Sequence, residues 1–228
     1  MGVRSLYLIA VLPLLAFNAP SFAADIVSES GSQATISAAH HSESNIIVAT
    51  ARARTLLDIR YDPKYVRLDY PGGDVDPSTG VCTDVIIRTF RDAMRFDFQK
   101  AVHEDMKANF SQYPKIWGLK RADKNIDHRR VPNLETFLKR QGTSLPVTKN
   151  PEDYLPGDIV TWRLGGRLPH MAIISDKKSP WGTPLVIHNV GQGVVEDDLL
   201  FNTDIEGHFR FKPNPNMRTQ TAAVSGAR

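Results

Sequence analysis

A change of hydrophobic period near residue 142 divides this chain. Upstream, apolar residues return at helical steps. Ile46, Ala49, Ala53, Leu56 and Leu57 predict an amphipathic helix over 45–59. A second helix over 82–94 carries Cys82, Val85, Ile86, Thr89, Phe90 and Ala93 on one face, with Thr79 or Gly80 as its cap. A short helix is expected around 103–110. Asn133 is expected to cap another over 134–140, which buries Leu134, Phe137 and Leu138 and stops at Gly142. Downstream, runs rich in Val, Ile and aromatics occupy Asp158–Trp162, Leu168–Ser175, Pro184–Val190, Gly193–Glu196 and His208–Lys212, separated by Gly, Pro and Asp. Helices first and antiparallel strands second predict an α+β domain. Between the first two helices, Tyr61–Gly80 is so dense in Pro and Gly that it reads as an irregular segment without ladder bonding.

The chain has 228 residues, 28 Lys+Arg against 25 Asp+Glu, and one cysteine. A lone cysteine cannot bridge within its own chain, so a disulfide scaffold is excluded. The net charge of +3 is too small, and too little clustered, to indicate a nucleic-acid binder. Residues 1–23 read as a signal peptide: Arg4 is the positive start, Leu6–Phe17 the apolar stretch, and Ser21 and Ala23 the small residues before cleavage. No cysteine follows for lipid attachment, and no later window is apolar enough to span a bilayer. The expected organisation is a leader (1–23), a flexible lead-in (24–44), one domain (45–212) and a flexible tail (213–228), exported to the periplasm or secreted, and monomeric.

In an oxidising compartment an unpaired thiol is either buried and inert or kept for chemistry. Cys82 opens a predicted helix, where free N–H groups favour a thiolate and can hold an oxyanion. The same residue lies on the face that would pack against the sheet. His170 begins the run His170-Met171-Ala172-Ile173-Ile174-Ser175, and His188 lies near the end of the next run. A hairpin centred on residue 179 sets His170 directly opposite His188, with Cβ atoms roughly 4.5–5.5 Å apart. A one-residue slip would present Asn189 instead, so His188 and Asn189 compete to orient the imidazole.

The blocks Tyr70-Pro71-Gly72-Gly73, Gly80-Val81-Cys82-Thr83-Asp84-Val85-Ile86, Pro156-Gly157-Asp158-Ile159-Val160 and His170-Met171-Ala172-Ile173-Ile174-Ser175 resemble the NlpC-type branch of papain-like cysteine peptidases. More closely, the chain looks like domain-of-unknown-function family 1287, grouped with that fold. The matching blocks there are Val102–Met106, Asn125–Asn133 and His188-Asn189-Val190-Gly191, within a resemblance that runs from about 45 to 212. The resemblance implies N-terminal helices with the cysteine-bearing helix packed on a C-terminal antiparallel sheet. It implies Cys82 as nucleophile, His170 as base and His188 as third residue, with Asn189 as the alternative that papain-like peptidases often use. Val81-Cys82-Thr83-Asp84 departs from the usual Asp-Cys-Ser-Gly, which weakens any carry-over of substrate preference.

Tyr70, Asp84, His128, Arg129 and Arg130 are the candidate substrate contacts. Tyr70 could line the oxyanion side, and the basic loop Asp127-His128-Arg129-Arg130 could take a peptide carboxylate through an arginine fork. Internal pairing of Arg129 or Arg130 with Asp127, Asp84 or Glu104 is the competing reading. The chemistry expected is acyl transfer to water through a thioester, without metal or cofactor. Peptidoglycan, or a peptide-containing cell-wall fragment, is the expected substrate of an endopeptidase or amidase. Two alternatives stay open: an inert cell-wall binding module of papain-like fold, and a metal hydrolase using His170 and His188, for which no compact ligand spacing is found.

Overall fold

A computed structural model of the chain describes residues 42–217. The expected leader, most of the lead-in and the end of the tail lie outside the described residues. Four α-helices occur among those described: α1 (42–53), α2 (Cys82–Met94), α3 (Phe98–Ala108) and α4 (Val131–Arg140). The short strands β1 (Arg60–Tyr61) and β2 (Thr79–Gly80) pair parallel to each other. Six further strands form one antiparallel sheet: β3 (Ser144–Leu145), β4 (Ile159–Leu164), β5 (Leu168–Lys178), β6 (Pro184–Asn189), β7 (Val194–Asp197) and β8 (Ile205–Phe209). Their spatial order is β3-β8-β4-β5-β6-β7. The fold is mixed α+β, with helices preceding the sheet.

Helix α2 falls on the expected residues. It is not capped by Thr79 or Gly80. Val81 is the cap residue, and Asp84 reaches back to accept the Val81 N–H at 2.7 Å, the carboxylate half of a capping box. Helix α1 departs further. It ends at residue 53 and a 3-10 turn, Arg54–Leu56, follows. Leu56 and Leu57 therefore leave the helical projection and are exposed, as are Ile46, Ala49 and Ala53, while Ile47, Val48 and Ala51 are buried. Both sets keep helical spacing, so periodicity alone could not choose between the faces. Helix α3 starts earlier than expected because Asp97 accepts the Lys100 N–H. Asn133 does not cap α4: it lies inside the helix and donates to the Asp127 carbonyl at 3.1 Å, while Arg130 holds the cap position.

The Pro- and Gly-rich segment is also not free of ladder bonds, since Arg60 pairs with Thr79 and Tyr61 with Gly80. Buried Arg88 on α2 fixes this segment. Its guanidinium binds both Asp74 oxygens, at 2.9 and 3.0 Å, and the carbonyls of Val75, Asp76 and Thr79. One side chain from the helix satisfies loop carbonyls that no regular element could.

The sheet has two covered faces. Met171, Ile173, Ile187, Ile159 and Phe209 pack with Cys82, Val85, Ile86 and Phe90 of α2. On the other face, Val160, Trp162, Ala172, Ile174 and Val186 pack with Tyr154, Leu200 and Ile205. The alternation follows from the period-two geometry of strands. On the helical side, Phe90, Phe98, Phe137 and Phe211 gather one residue each from α2, α3, α4 and the segment after β8, with Phe90 and Phe98 centroids 5.5 Å apart. Each such ring contributes about 1.5–3 kcal/mol by burial. This cluster packs α2, α3 and α4 against the segment after β8.

Candidate functional site

The β5–β6 ladder pairs Ile173 with Ile187 and Ile174 with Val186. That register differs by two residues from a hairpin centred on 179. An even shift preserves the faces, so His170 and His188 become diagonal rather than direct neighbours. They still meet. His170 Nε2 lies 3.0 Å from His188 Nδ1, and the rings are edge to face with centroids 4.9 Å apart. His188 Nε2 in turn lies 2.9 Å from Asp197 Oδ1 on β7. Trp162, directly across from His170 on β4, stacks on its ring with centroids 5.9 Å apart. Both imidazoles are almost fully buried, whereas Asp197 is half exposed.

The proton positions in this row follow from its end. A carboxylate oxygen only accepts, so His188 Nε2 carries the hydrogen and donates to Asp197. With one hydrogen on each ring, His188 Nδ1 is the acceptor of the bond between them and His170 Nε2 the donor. Neutral His170 is left with Nδ1 as a bare lone pair. Burial, aided by the neighbouring His188, lowers the His170 pKa to about 3. The row therefore holds a neutral imidazole whose free nitrogen is Nδ1.

Beyond Ile173 and Ile187 the two strands part. Asn189 does not bond across to β5. Its Nδ2 donates to the Gly80 carbonyl at 3.4 Å, and its Oδ1 accepts the Gly191 N–H. The start of α2 enters this fork. The backbone N–H groups of Met171, Thr83 and Cys82 itself bear on the Cys82 sulfur and favour its anion, yet burial outweighs them and pushes the thiol up to about 12. Cys82 is 5% exposed and shares the apolar core of Met171 and Ile187. Met171 follows His170 in the chain, but their side chains leave β5 on opposite faces. Among the described residues no hydrogen bond joins the sulfur to either imidazole. The fork thus holds a protonated thiol ringed by peptide N–H groups, one residue along the strand from a neutral imidazole.

The candidate substrate contacts are spread more widely. Arg129 bonds both Asp84 oxygens at 2.9 Å with both side chains buried, and its remaining donors reach the carbonyls of Asp62 and Lys64. The internal pairing is thus the one formed, and it ties the loop before β2 to the start of α2. His128 is buried, and its pKa is lowered to about 3 by burial and by the cations Arg129 and Arg91. Arg130 stacks on Trp117, 4.1 Å from the ring centroid. Tyr70 packs edge to face on His103 and bonds Glu104 at 3.4 Å. These contacts run from the loop after β1 and the start of α2 to α3 and the turn before α4, and none is to Cys82.

Asp197 is not among the expected site residues, because the sequence pattern ends this strand at Glu196 and the strand runs to Asp197. The signal was present: an acidic residue two positions past Val195, the cross-strand partner of His188, shares the face of His188. Among the described residues, no group of three or more His, Cys, Asp or Glu is arranged to hold a metal ion, and no helix is long and apolar enough to cross a membrane.

The family model described as "Domain of unknown function (DUF1287)" matches residues 48–211. Over 168 residues the chain is 53% identical to the Escherichia coli (strain K12) protein named "Uncharacterized protein YijF", an alignment covering 73% of this chain and 82% of the relative. No solved structure matches the chain. The matched span takes in α2, the His170–His188–Asp197 row and all six strands of the sheet, and on that match this protein belongs to the DUF1287 family.

Proposed function

We propose that this protein is an exported cysteine hydrolase of papain-like, NlpC-type architecture that cleaves an amide bond, with peptidoglycan as its substrate. The observation that carries the reading is the directed row Asp197–His188–His170. Its donor order leaves His170 Nδ1 as base beside the strand position whose N–H faces the Cys82 sulfur. The resemblance of the Cys82 and His170 segments to NlpC-type peptidases supports the same assignment.

In this reaction substrate binding opens the fork between β5 and β6, so that the sulfur and the His170 ring, which leave opposite faces of β5, meet through the gap, and His170 Nδ1 takes the Cys82 proton as sulfur attacks the amide carbonyl. The N–H groups at the start of α2 hold the oxyanion. Protonated His170 then gives its proton to the departing amine. Water hydrolyses the thioester by the reverse sequence. His188 steadies the imidazolium, and Asp197 fixes the tautomer of His188. A thiol held at about 12 and an imidazole at about 3 describe a neutral resting pair, so ionisation belongs to the substrate-bound state.

The burial of Cys82 favours a second reading, in which the same fold binds the cell wall without cutting it. Digestion of purified sacculi separates the two. The hydrolase releases soluble muropeptides, insensitive to chelator, and Cys82→Ala releases none. Sacculi that sediment both proteins and yield no fragments from either would establish the binding module. Identical fragments from both would remove Cys82 from the chemistry.

A further inference from the structure

A second concave surface lies apart from the fork. A cavity of about 1030 Å³ opens between the loop at 65–68 and the segment at 119–125, with His103 of α3 on its wall. Its charged lining is one-sided. Arg67, Lys120, Arg121 and Lys124 are four cations, and Asp123 is the single acid. Asp123 is already engaged: it accepts the Tyr65 hydroxyl at 3.1 Å and the Asn125 backbone and side-chain N–H groups, each at 3.0 Å. Asn125 also accepts the Leu68 N–H at 2.9 Å and donates to the Tyr65 hydroxyl at 2.8 Å. The acid, amide and phenol thus brace the wall. Arg67, Lys120 and Arg121 are exposed, and none takes part in an ion pair among the described residues.

We infer that this groove binds an acidic peptide segment through carboxylates spaced along it. Three observations select that ligand. The volume is at the upper end of the range for small-molecule sites, far larger than one phosphate needs. The four cations come from two separate segments, Arg67 from the loop at 65–68 and Lys120, Arg121 and Lys124 from 119–125, whereas a phosphate cradle gathers successive backbone N–H groups of one turn. Tyr65 and His103 are the two rings among the lining residues; the Tyr65 hydroxyl is tied to the wall and His103 packs edge to face on Tyr70, so the groove lacks the run of free stacking platforms that holds single-stranded nucleic acid. Carboxylates set residues apart suit such a spread, and the two arginines present planar forks to them. The inference concerns binding alone and stands whether or not Cys82 is a nucleophile.

Fluorescence polarisation tests it, with the full chain carrying Cys82→Ala so that no probe is consumed. The probe is a labelled Glu-rich peptide of about six residues, long enough at roughly 3.3–3.6 Å per residue to run along the groove. The expected result is binding that weakens with added salt and falls at least about tenfold, a loss of about 1.4 kcal/mol, when every Glu is replaced by Gln. The double substitution Arg67→Gln with Arg121→Gln is expected to weaken the Glu peptide by a similar factor. Lys149→Gln, at an exposed lysine whose ion pair is with Asp204, is expected to leave it unchanged. Equal affinity for the Glu and Gln peptides, no loss in the double variant, or tighter binding of a labelled oligonucleotide than of the peptide would each overturn the inference, as would no binding of any probe. Effective competition by inorganic phosphate at the concentration of peptide carboxylate would mark a simple anion site and overturn the peptide assignment.

Discussion

The row His170–His188–Asp197 and the turn Asp127–His128–Arg129 bury similar side chains under different wiring. In the row, each facing nitrogen has one partner and the donors run in a single direction to a half-exposed carboxylate. In the turn, Arg129 is fully engaged with Asp84 and two carbonyls, yet Asp127 Oδ1 and His128 Nδ1 are buried without a hydrogen bond, and so is His103 Nδ1, 3.6 Å from Asp127 Oδ2. Burial raises the Asp127 carboxyl to about 7, with Asp123 adding to it, while the Asp123 N–H works against the rise. A directed, satisfied row can pass a proton outward along its length. The turn instead joins α2, α3 and α4, and its titratable groups pay for that position in stability. The contrast is between a row whose ring nitrogens are paired and a turn that leaves buried polar atoms unpaired where three helices meet.

Replacing His170 breaks the comparison most sharply. His170→Gln is expected to lower muropeptide release by about 10²–10⁴-fold, the usual contribution of a general base, while the denaturant midpoint stays near that of the parent. Loss of folding in place of loss of activity would return His170 to the core. Next in size is Arg129→Ala, which leaves Asp84 buried and unpaired. Unfolding in denaturant should report about 3–5 kcal/mol of lost stability, and circular dichroism should show α2 frayed at its start.

The pH dependence of stability sharpens the difference further. His170 and His128 titrate near 3 in the fold against 6.5 for a free imidazole, so the unfolded chain binds their protons first. Their contribution is complete above about 6.5 and is lost as pH falls toward 3. Asp127, near 7 in the fold against 3.8, has the opposite sign: its contribution is complete below 3.8 and is lost as pH rises through 7. Between about pH 4 and 6.5 the two histidines outweigh the acid by one proton, so these three groups make stability rise by about 1.4 kcal/mol per pH unit. Asp127→Asn removes the opposing group. It should steepen that slope toward twice the value and make the variant more stable than the parent at pH 8, both measurable from denaturant midpoints across pH. A slope left unchanged would mean that Asp127 is ionised in the fold. The smallest effect is expected at the exposed end of the row. Asp197→Asn should reduce hydrolysis by about tenfold or less, because water shares the work of a half-exposed carboxylate, and should leave the Arg129–Asp84 pair and the folding stability untouched.

How much of this was legible beforehand differs between elements for physical reasons. Helix α2 and four of the five longer strands stand where the sequence pattern sets them, because burial of one face writes a period into the sequence, whereas β8 (Ile205–Phe209) lies three residues ahead of the expected His208–Lys212. The register of β5 on β6 differs by two residues from the one the loop length implies, and the histidines meet regardless because the side-chain period of a strand is also two. Helix α1 buries a different face from the expected one, since two apolar stripes share its spacing and only packing selects Ile47, Val48 and Ala51. The β1–β2 pairing was invisible: two residues have no period, and their partners are separated by the Pro- and Gly-rich loop.

The same division applies to the site. Sequence alone determined that one cysteine opens a helix and that two histidines share a sheet face, because helix starts and strand alternation are local properties of the chain. The fork between β5 and β6, the entry of Cys82 into it and the capture of Arg129 by Asp84 were decided only in three dimensions. So were the end of the histidine row at Asp197 and the gathering of four cations around one groove. Each depends on burial and on partners distant in sequence, and burial sets both which charges must pair and which thiol stays protonated.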